Sequence, residues 1–499
     1  MPKQFQLFKN KWVYGVIAAL LAIICYFCVP SDDYPQAPIM AAIVVLMAIF
    51  WIFEIVPIAI TSLFPIFLFP LFGILDTKTT ALFYGKEIIF LFLGGLMLAQ
   101  GIQQSNLHKR IALHIVNIIG SKPASLILGF MVATAFLSMW ISNTASVMVM
   151  MPIGLSIIEE IATVKDAKKY ISKFSVALML GVAYSADIGG MATLIGTPPN
   201  LVFMEMYHEL FPELPEVGFT RWMLMGLPIS ITFLLTGWLL MTKVIFRMPK
   251  SKIFKNNHVI KDLLKSLGKL RRDELASGLV FTLAAILWLT GSDITLSESI
   301  TIRGWRSVFD LKMVSDASIA VLTSLLLFMI PSQDRPKEML LKWNKVRELP
   351  WGILLLFGGG FSIAGGFNST GLSNIIGNLF ALLEVNHPLL IVIIVCFVLT
   401  FLTEITSNTA TTNLVLPILA KASAVLGLDP RILMIPATLS ASCAFMMPIA
   451  SPTQAIVFGS GHVKIKQMIR AGILFNILGV IIVTSVFFLL AEFVFGISF

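Results

Sequence analysis

Residues 140–152 read WISNTASVMVMMP, and residues 405–417 read ITSNTATTNLVLP. Each holds a Ser-Asn-Thr triplet among residues suited to oil: Ser142, Asn143 and Thr144, then Ser407, Asn408 and Thr409. A proline follows each apolar run, Pro152 in the first and Pro417 in the second. Polar side chains in such surroundings are costly unless they find partners or ligands. Ser, Thr and Asn also hold membrane helices together, and a lone triplet fits that role. Its return in the same setting points to a repeated device.

Composition decides the solvent. Hydrophobic residues make up 57% of the 499-residue chain, charged ones 13%, and the mean hydropathy is +0.90. A soluble domain carries about 25% charged residues, so this chain cannot cover a water-facing surface. The fold class is all-α: a polytopic membrane protein, one domain with short loops in the lipid bilayer. Residues 12–29 form an apolar run long enough to span. Lysines precede it and no small-residue cleavage site follows, so it reads as a retained helix. Cys25, Cys28, Cys396 and Cys443 all lie in apolar segments. The CxxC spacing of the first two has no second ligand pair nearby, so packing is the expected role. The formal charge of +9 clusters in particular loops, which argues against nucleic acid as a partner.

Those loops set an expected topology. Lys3, Lys9 and Lys11 precede the first span, and Lys165, Lys168, Lys169 and Lys173 follow the first triplet region. Lys250, Lys252, Lys255, Lys261, Lys265, Lys269, Arg271 and Arg272 crowd the longest hydrophilic stretch. Residues 208–216, HELFPELPE, carry glutamates and no Lys or Arg. Basic loops belong to the cytoplasmic side. Eleven spans satisfy this rule, near 12–29, 36–56, 58–75, 86–106, 174–206, 218–246, 274–291, 317–331, 351–379, 431–458 and 471–495. Two re-entrant hairpins complete the path, at 123–160 and 388–422. The expected location is the cell membrane, with the N-terminus cytoplasmic and the C-terminus outside.

An internal repeat accompanies the triplets. FLFLGGLMLAQGIQQSNL (90–107) aligns with LLLFGGGFSIAGGFNSTG (354–371), and GTPPNLVF (196–203) falls against ASPTQAIVF (450–458). By the charge count, the first unit begins from the inside and the second from the outside. Inverted repeats characterise secondary transporters, with substrate near the midplane where the units meet.

At the turn of each hairpin, the amides opening the second helix point outward with partial positive charge. Asn supplies an NH₂ donor and Thr a hydroxyl, so each triplet suits one carboxylate and the pair suits a dicarboxylate. GTPPN (196–200) is a second kind of break, because proline removes a backbone donor and disfavours helix before it. Freed carbonyls there, with the hydroxyls of Ser138 and Ser142, are hard oxygens that small cations accept. Pro448 and Ser451-Pro452-Thr453 form the matching break, with hydroxyls from Thr403, Thr406 and Ser407.

With these paired SNT motifs and the broken helix after each, the chain resembles the divalent-anion/sodium symporter family, the INDY-type dicarboxylate transporters, over nearly its whole length. The resemblance implies a homodimer and an elevator mechanism. It implies scaffold helices over 1–120 and 273–385. A transport domain in two halves, 121–247 and 386–499, would then flank the cytoplasmic basic loop 248–272. It implies Asn143, Thr144, Asn408 and Thr409 as substrate contacts, aided by Thr197 and Pro452. One Na⁺ site would use Ser138, Ser142, Asn143 and Gly196; the other would use Thr403, Thr406, Asn408 and Ala450. The chain departs from the pattern at two places: the second break reads SPTQ instead of a TPPN-like sequence, and Asp187 stands where a small neutral residue is usual. An intramembrane acid is a functional candidate by default. Glu404, beside the second triplet, also occurs in the family; its expected role is to orient the hairpin.

The expected function is secondary transport of C4/C5 dicarboxylates such as succinate, malate, fumarate or 2-oxoglutarate. No Lys or Arg lies in either motif, so a bound dianion needs helix dipoles or co-bound cations. That favours Na⁺ symport. The SPTQ break and Asp187 lean toward dicarboxylate exchange, and both modes stay open. A citrate or tricarboxylate carrier and an anion channel are the alternatives. An enzyme is not expected, because His108, His114, His208, His258, His387 and His462 are dispersed. The chain also lacks a GxxxxGK[ST] nucleotide loop.

Overall fold

The structure is a computed structural model that describes residues 11–119, 122–163, 170–249, 258–297, 300–381 and 387–497. Lys3, Lys9, Lys165, Lys168, Lys169, Lys250, Lys252 and Lys255, on which the expected orientation leans, lie outside the described residues. Among the described residues, seven helices of at least 18 residues are apolar enough to cross a membrane: Lys11–Cys28, Thr77–Ser105, Asn143–Ala162, Ile171–Gly190, Phe219–Ile245, Trp351–Thr370 and Ile465–Phe495. Shorter apolar helices accompany them, including Pro123–Ser138 and Pro388–Leu402. In lipid every backbone group needs an internal partner, and a helix provides it within one segment.

Some expected spans are not single helices. The segment at 351–379 is Trp351–Thr370 followed by Leu372–Ala381. Gly371 separates them in the left-handed conformation, φ +71°, which ends a helix and suits glycine. The segment at 58–75 is likewise divided, into Ile58–Thr61 and Phe64–Leu71. Pro65 opens the second piece, where its missing N–H is no loss. An antiparallel ribbon, absent from the all-α expectation, pairs Ile294–Ser297 with Ile300–Ile302 and sets Ile294 opposite Ile302. The alternation of β-branched and polar residues in ITLSESITI carries that signal.

The chain folds into two compact units. One comprises residues 1–89, 202–216 and 350–441. Its core gathers Met40, Met47, Trp51, Phe69, Ile363 and Phe367. Trp51 Nε1 donates to Ser62 Oγ at 3.1 Å, and that hydroxyl donates to the Ile58 carbonyl at 2.7 Å, so the buried indole is satisfied. The helix Asn408–Val425 packs on Leu372–Ala381, Trp351–Thr370 and Pro430–Ala441.

The other unit comprises residues 90–201, 217–349 and 442–499. At its centre stands Ile171–Gly190, buried at every position from Phe174 to Gly190. A helix apolar on all sides belongs inside a bundle. It packs against Pro123–Ser138, Asn143–Thr163 and Pro452–Gly459. In the same unit the glycine pattern of residues 90–107 permits close backbone approach. A Cβ on Gly94 would lie 2.6 Å from the Ala320 backbone.

Gly94→Ala is therefore expected to strain this contact by about 1–3 kcal/mol, the usual cost of overpacking. Gly15, with nothing within 4 Å of an added Cβ, is the control. Thermal unfolding in detergent should show a lower midpoint for Gly94→Ala and an unchanged one for Gly15→Ala; equal midpoints would refute the close packing.

Candidate functional site: two polar tips and a buried carboxylate

The helix Pro123–Ser138 ends one turn before Asn143 opens the helix Asn143–Thr163. Ser142 acts as the N-cap between them. Its carbonyl accepts from Ser146 N at 3.0 Å, and its Oγ accepts from Ala145 N at 3.3 Å. Such a cap satisfies donors that a helix start otherwise leaves unpaired. In the other unit, Pro388–Leu402 ends before Asn408 opens Asn408–Val425, with extended Ser407 as the N-cap. The Ser407 carbonyl accepts from Thr411 N at 2.8 Å.

The same side-chain bond crosses both tips. Ser138 Oγ donates to Asn143 Oδ1 at 2.6 Å, and Thr403 Oγ1 donates to Asn408 Oδ1 at 2.6 Å. With its carbonyl oxygen engaged, each asparagine turns its NH₂ away from the preceding helix. Among the described residues the Asn408 NH₂ has no protein acceptor, whereas Asn143 Nδ2 donates to Asp187 Oδ1 at 3.1 Å. Thr144 and Thr409 occupy the first turns of their helices, half-buried and buried respectively. Thr406 is tied to Thr411 through a hydroxyl pair at 2.6 Å. Glu404 is buried beside them.

The two breaks differ in length. The first runs from Gly190 to Pro198, where helix resumes. Asn200 closes it by donating to the carbonyls of Gly190 at 3.1 Å and Thr193 at 2.7 Å. The second separates Ala441 from Pro452. Gly190 sits against the first tip. A Cβ there would lie 2.7 Å from Asn143 Oδ1 and 3.2 Å from the Gly196 carbonyl, so any larger residue would push the tip amide aside. The oxygens of Asn143 and Gly196 therefore meet at one glycine, with Ser138 Oγ bonded to the first of them, and neutral oxygens of this kind suit a small hard cation. Ser142 belongs to the same tip but is exposed. Thr197 is buried in the first break. Thr403, Thr406 and Asn408 share the second tip in one unit; Ala450 and Pro452 lie in the break of the other unit.

Asp187 is the feature that reading along the chain left without a role. It is 2% exposed on the central helix and accepts from four side chains. Besides Asn143, these are Thr453 Oγ1 at 2.9 Å, Gln454 Nε2 at 3.3 Å and Ser451 Oγ at 3.4 Å. Gln454 entered the sequence reading only as the last residue of the SPTQ break, with no role of its own. Its only signal is that it stands in the repeat where Asn200 stands, one residue beyond the Pro-Pro position. Among the dispersed histidines, His108 is buried, its Nδ1 3.1 Å from the Ile102 carbonyl. Burial pushes its pKa down to about 4, so it is a neutral packing residue.

An apolar helical bundle with partly open, oriented polar tips is the architecture of a polytopic membrane transporter. The chain belongs to the sodium:sulfate symporter family, whose transmembrane region it matches over residues 9–496. It is 39% identical over 488 residues to the sodium-dependent dicarboxylate transporter SdcS of Staphylococcus saprophyticus, covering 97% of this chain and 92% of that protein. The Staphylococcus aureus protein of the same name is 40% identical over 490 residues, with the same coverage. Among solved structures the fold resembles Neisseria gonorrhoeae MtrF, with TM-score 0.55 and 14% identity, over 82% of each chain. It also resembles the Alcanivorax borkumensis YdaH transporter, with TM-score 0.55 and 13% identity, over 82% of this chain and 86% of that one.

Ser138→Ala and Thr403→Val each delete the hydroxyl that orients a tip amide. One hydrogen bond contributes about 0.5–1.5 kcal/mol, so the apparent KM for the carried anion should rise about three- to tenfold in uptake assays. An unchanged KM in both variants would show that the amides do not depend on this bond.

Proposed function

We propose that the protein is a Na⁺-coupled secondary transporter of C4/C5 dicarboxylates, working by alternating access in the cell membrane. The observation that carries this reading is the pinned asparagine carbonyl, which leaves each tip amide able only to donate. Each tip then serves one carboxylate, with Asn143 and Thr144 at the first and Asn408 and Thr409 at the second, aided by Thr197 and Pro452. The names of the staphylococcal relatives, at 39–40% identity, support both the dicarboxylate and the sodium.

Magnitudes explain why sodium is needed. Removing a carboxylate from water costs several kcal/mol. A helix terminus returns about 0.3–2 kcal/mol, and a hydrogen bond to a charged group about 1.5–3 kcal/mol. No lysine or arginine lies in either triplet motif, so these terms leave a dianion near break-even. Co-bound cations tip the balance. The first would use Ser138, Ser142, Asn143 and Gly196, the second Thr403, Thr406, Asn408 and Ala450. The elevator movement, the homodimer, the cytoplasmic N-terminus and the external C-terminus belong to this proposal as the family's usual arrangement.

Proteoliposomes test it. Purified protein should take up labelled succinate against an inward Na⁺ gradient without internal dicarboxylate. Uptake that requires internal dicarboxylate and ignores Na⁺ would replace symport by exchange. Non-saturable flux would indicate a channel, and stronger competition by citrate than by malate a tricarboxylate carrier. Asn143→Ala and Asn408→Ala should each reduce succinate uptake at least 100-fold while the protein still elutes as a folded species. Normal uptake by either variant would overturn the assignment.

A further inference from the structure

We infer that Asp187 is the anchor of a cation site formed with the side-chain oxygens of Ser451, Thr453 and Gln454, beside the first tip, whose Asn143 amide donates to it, and separate from the two sites assigned above to neutral oxygens. The proposal deepens the transport reading and rests on it. Its first observation is an electrostatic imbalance. Asp187 is 2% exposed on a helix that is buried at every position from Phe174 to Gly190. All four side chains bonded to it, Asn143, Ser451, Thr453 and Gln454, are neutral. Neutral donors reduce the cost of a buried carboxylate but leave its charge uncompensated, and buried charges are normally paired or bound to a metal.

The second observation is the spacing of oxygens around it. Thr453 Oγ1 lies 2.9 Å and 3.2 Å from the two carboxylate oxygens, Ser451 Oγ lies 3.4 Å from Oδ2, and the two hydroxyls are 2.6 Å apart. A hard cation takes oxygens at about 2.3–2.6 Å, which sets neighbouring oxygens in an octahedral shell roughly 3.2–3.7 Å apart. Small outward shifts of the hydroxyls would open that shell.

The third observation is an orphan. Gln454 is 0% exposed, and its Oε1 has no hydrogen-bond partner while its Nε2 faces Asp187 at 3.3 Å. A half-turn of that amide would bring Oε1 to the carboxylate, a position that a metal cation or a proton between them would stabilise. One carboxylate with hydroxyl and amide oxygens suits a monovalent alkali ion. Among the described residues no three His, Cys, Asp or Glu side chains gather as a transition-metal group. A cation at this place would join the first tip, through Asn143, to the helix start at Pro452. Occupancy would therefore organise the tip before any anion arrives.

The test is Na⁺ binding measured without substrate. The full-length protein in detergent is titrated with NaCl at constant ionic strength, choline chloride making up the balance, and the unfolding midpoint is followed. Wild type should show saturable, Na⁺-specific stabilisation. In Asp187→Asn, which keeps the shape but not the charge, the half-saturating Na⁺ concentration should rise at least tenfold. Gln454→Leu should raise it about three- to tenfold, and it answers the question if the first variant does not fold. A purely structural hub would lower the starting midpoint in both variants and leave the Na⁺ half-saturation unmoved, which would overturn the proposal. So would a wild type that choline stabilises as well as sodium does. Failure of the transport reading is visible separately, as wild-type proteoliposomes that do not accumulate succinate under any gradient.

Discussion

A hydroxyl five residues before an asparagine, donating to its side-chain carbonyl, is the contact on which the rest of the site depends. An amide carries an acceptor and two donors and is free to present either. Ser138 and Thr403 remove that freedom by occupying Oδ1 at 2.6 Å. The same bond joins the end of one helix to the start of the next, so it fixes the turn as well as the amide. The helices entering the tips are short, 16 residues for Pro123–Ser138 and 15 for Pro388–Leu402. Isolated helices of that length are marginal in water, and their ends carry unpaired backbone groups. A side-chain bridge across the turn, with a serine cap beside it, lets such ends exist away from solvent.

The two tips are built alike but are not electrically equal. Thr403 has one hydroxyl proton and two acceptors within reach, Asn408 Oδ1 and the Ala441 carbonyl at 2.9 Å, and the buried acid Glu404 follows it in the chain. The first tip is held by Asp187. A carboxylate there competes with any incoming anion for the Asn143 amide protons, while the Asn408 amide is uncommitted.

Legibility followed how local each cause is. The membrane class was readable because composition alone rules out a soluble surface. The places where helices stop are marked by Gly, Pro and the SNT triplets, whose effects act within a turn or two. Gly371 and Pro65 divide expected spans for the same local reason, and the glycine before LSN and the proline after LF were there to be weighed. The Asp187 network could not be read along the chain. Its partners come from the first tip, 44 positions away, and from the second break, 264 to 267 positions away. Nothing in a single sequence says which faces of those helices meet. The role of Gln454 is hidden for a further reason, because its significance lies in an oxygen left without a partner, and that is visible only once every neighbour is placed.

Such a site has to be complete enough to exist in a dry interior and incomplete enough to act. Each tip meets the first demand with bonds of about 1 kcal/mol apiece, so no single one commits the structure. The second demand is met where valence is left over: the Asn408 amide protons, one Asn143 proton, and the Asp187 charge. Filling these with protein donors and acceptors would stabilise the fold and leave nothing for a ligand to add. Leaving them open costs stability that, on the proposed transport reading, a bound cation and anion would restore. A ligand can shift an equilibrium only by its differential affinity for the two states, and that unfilled valence is the source of the difference.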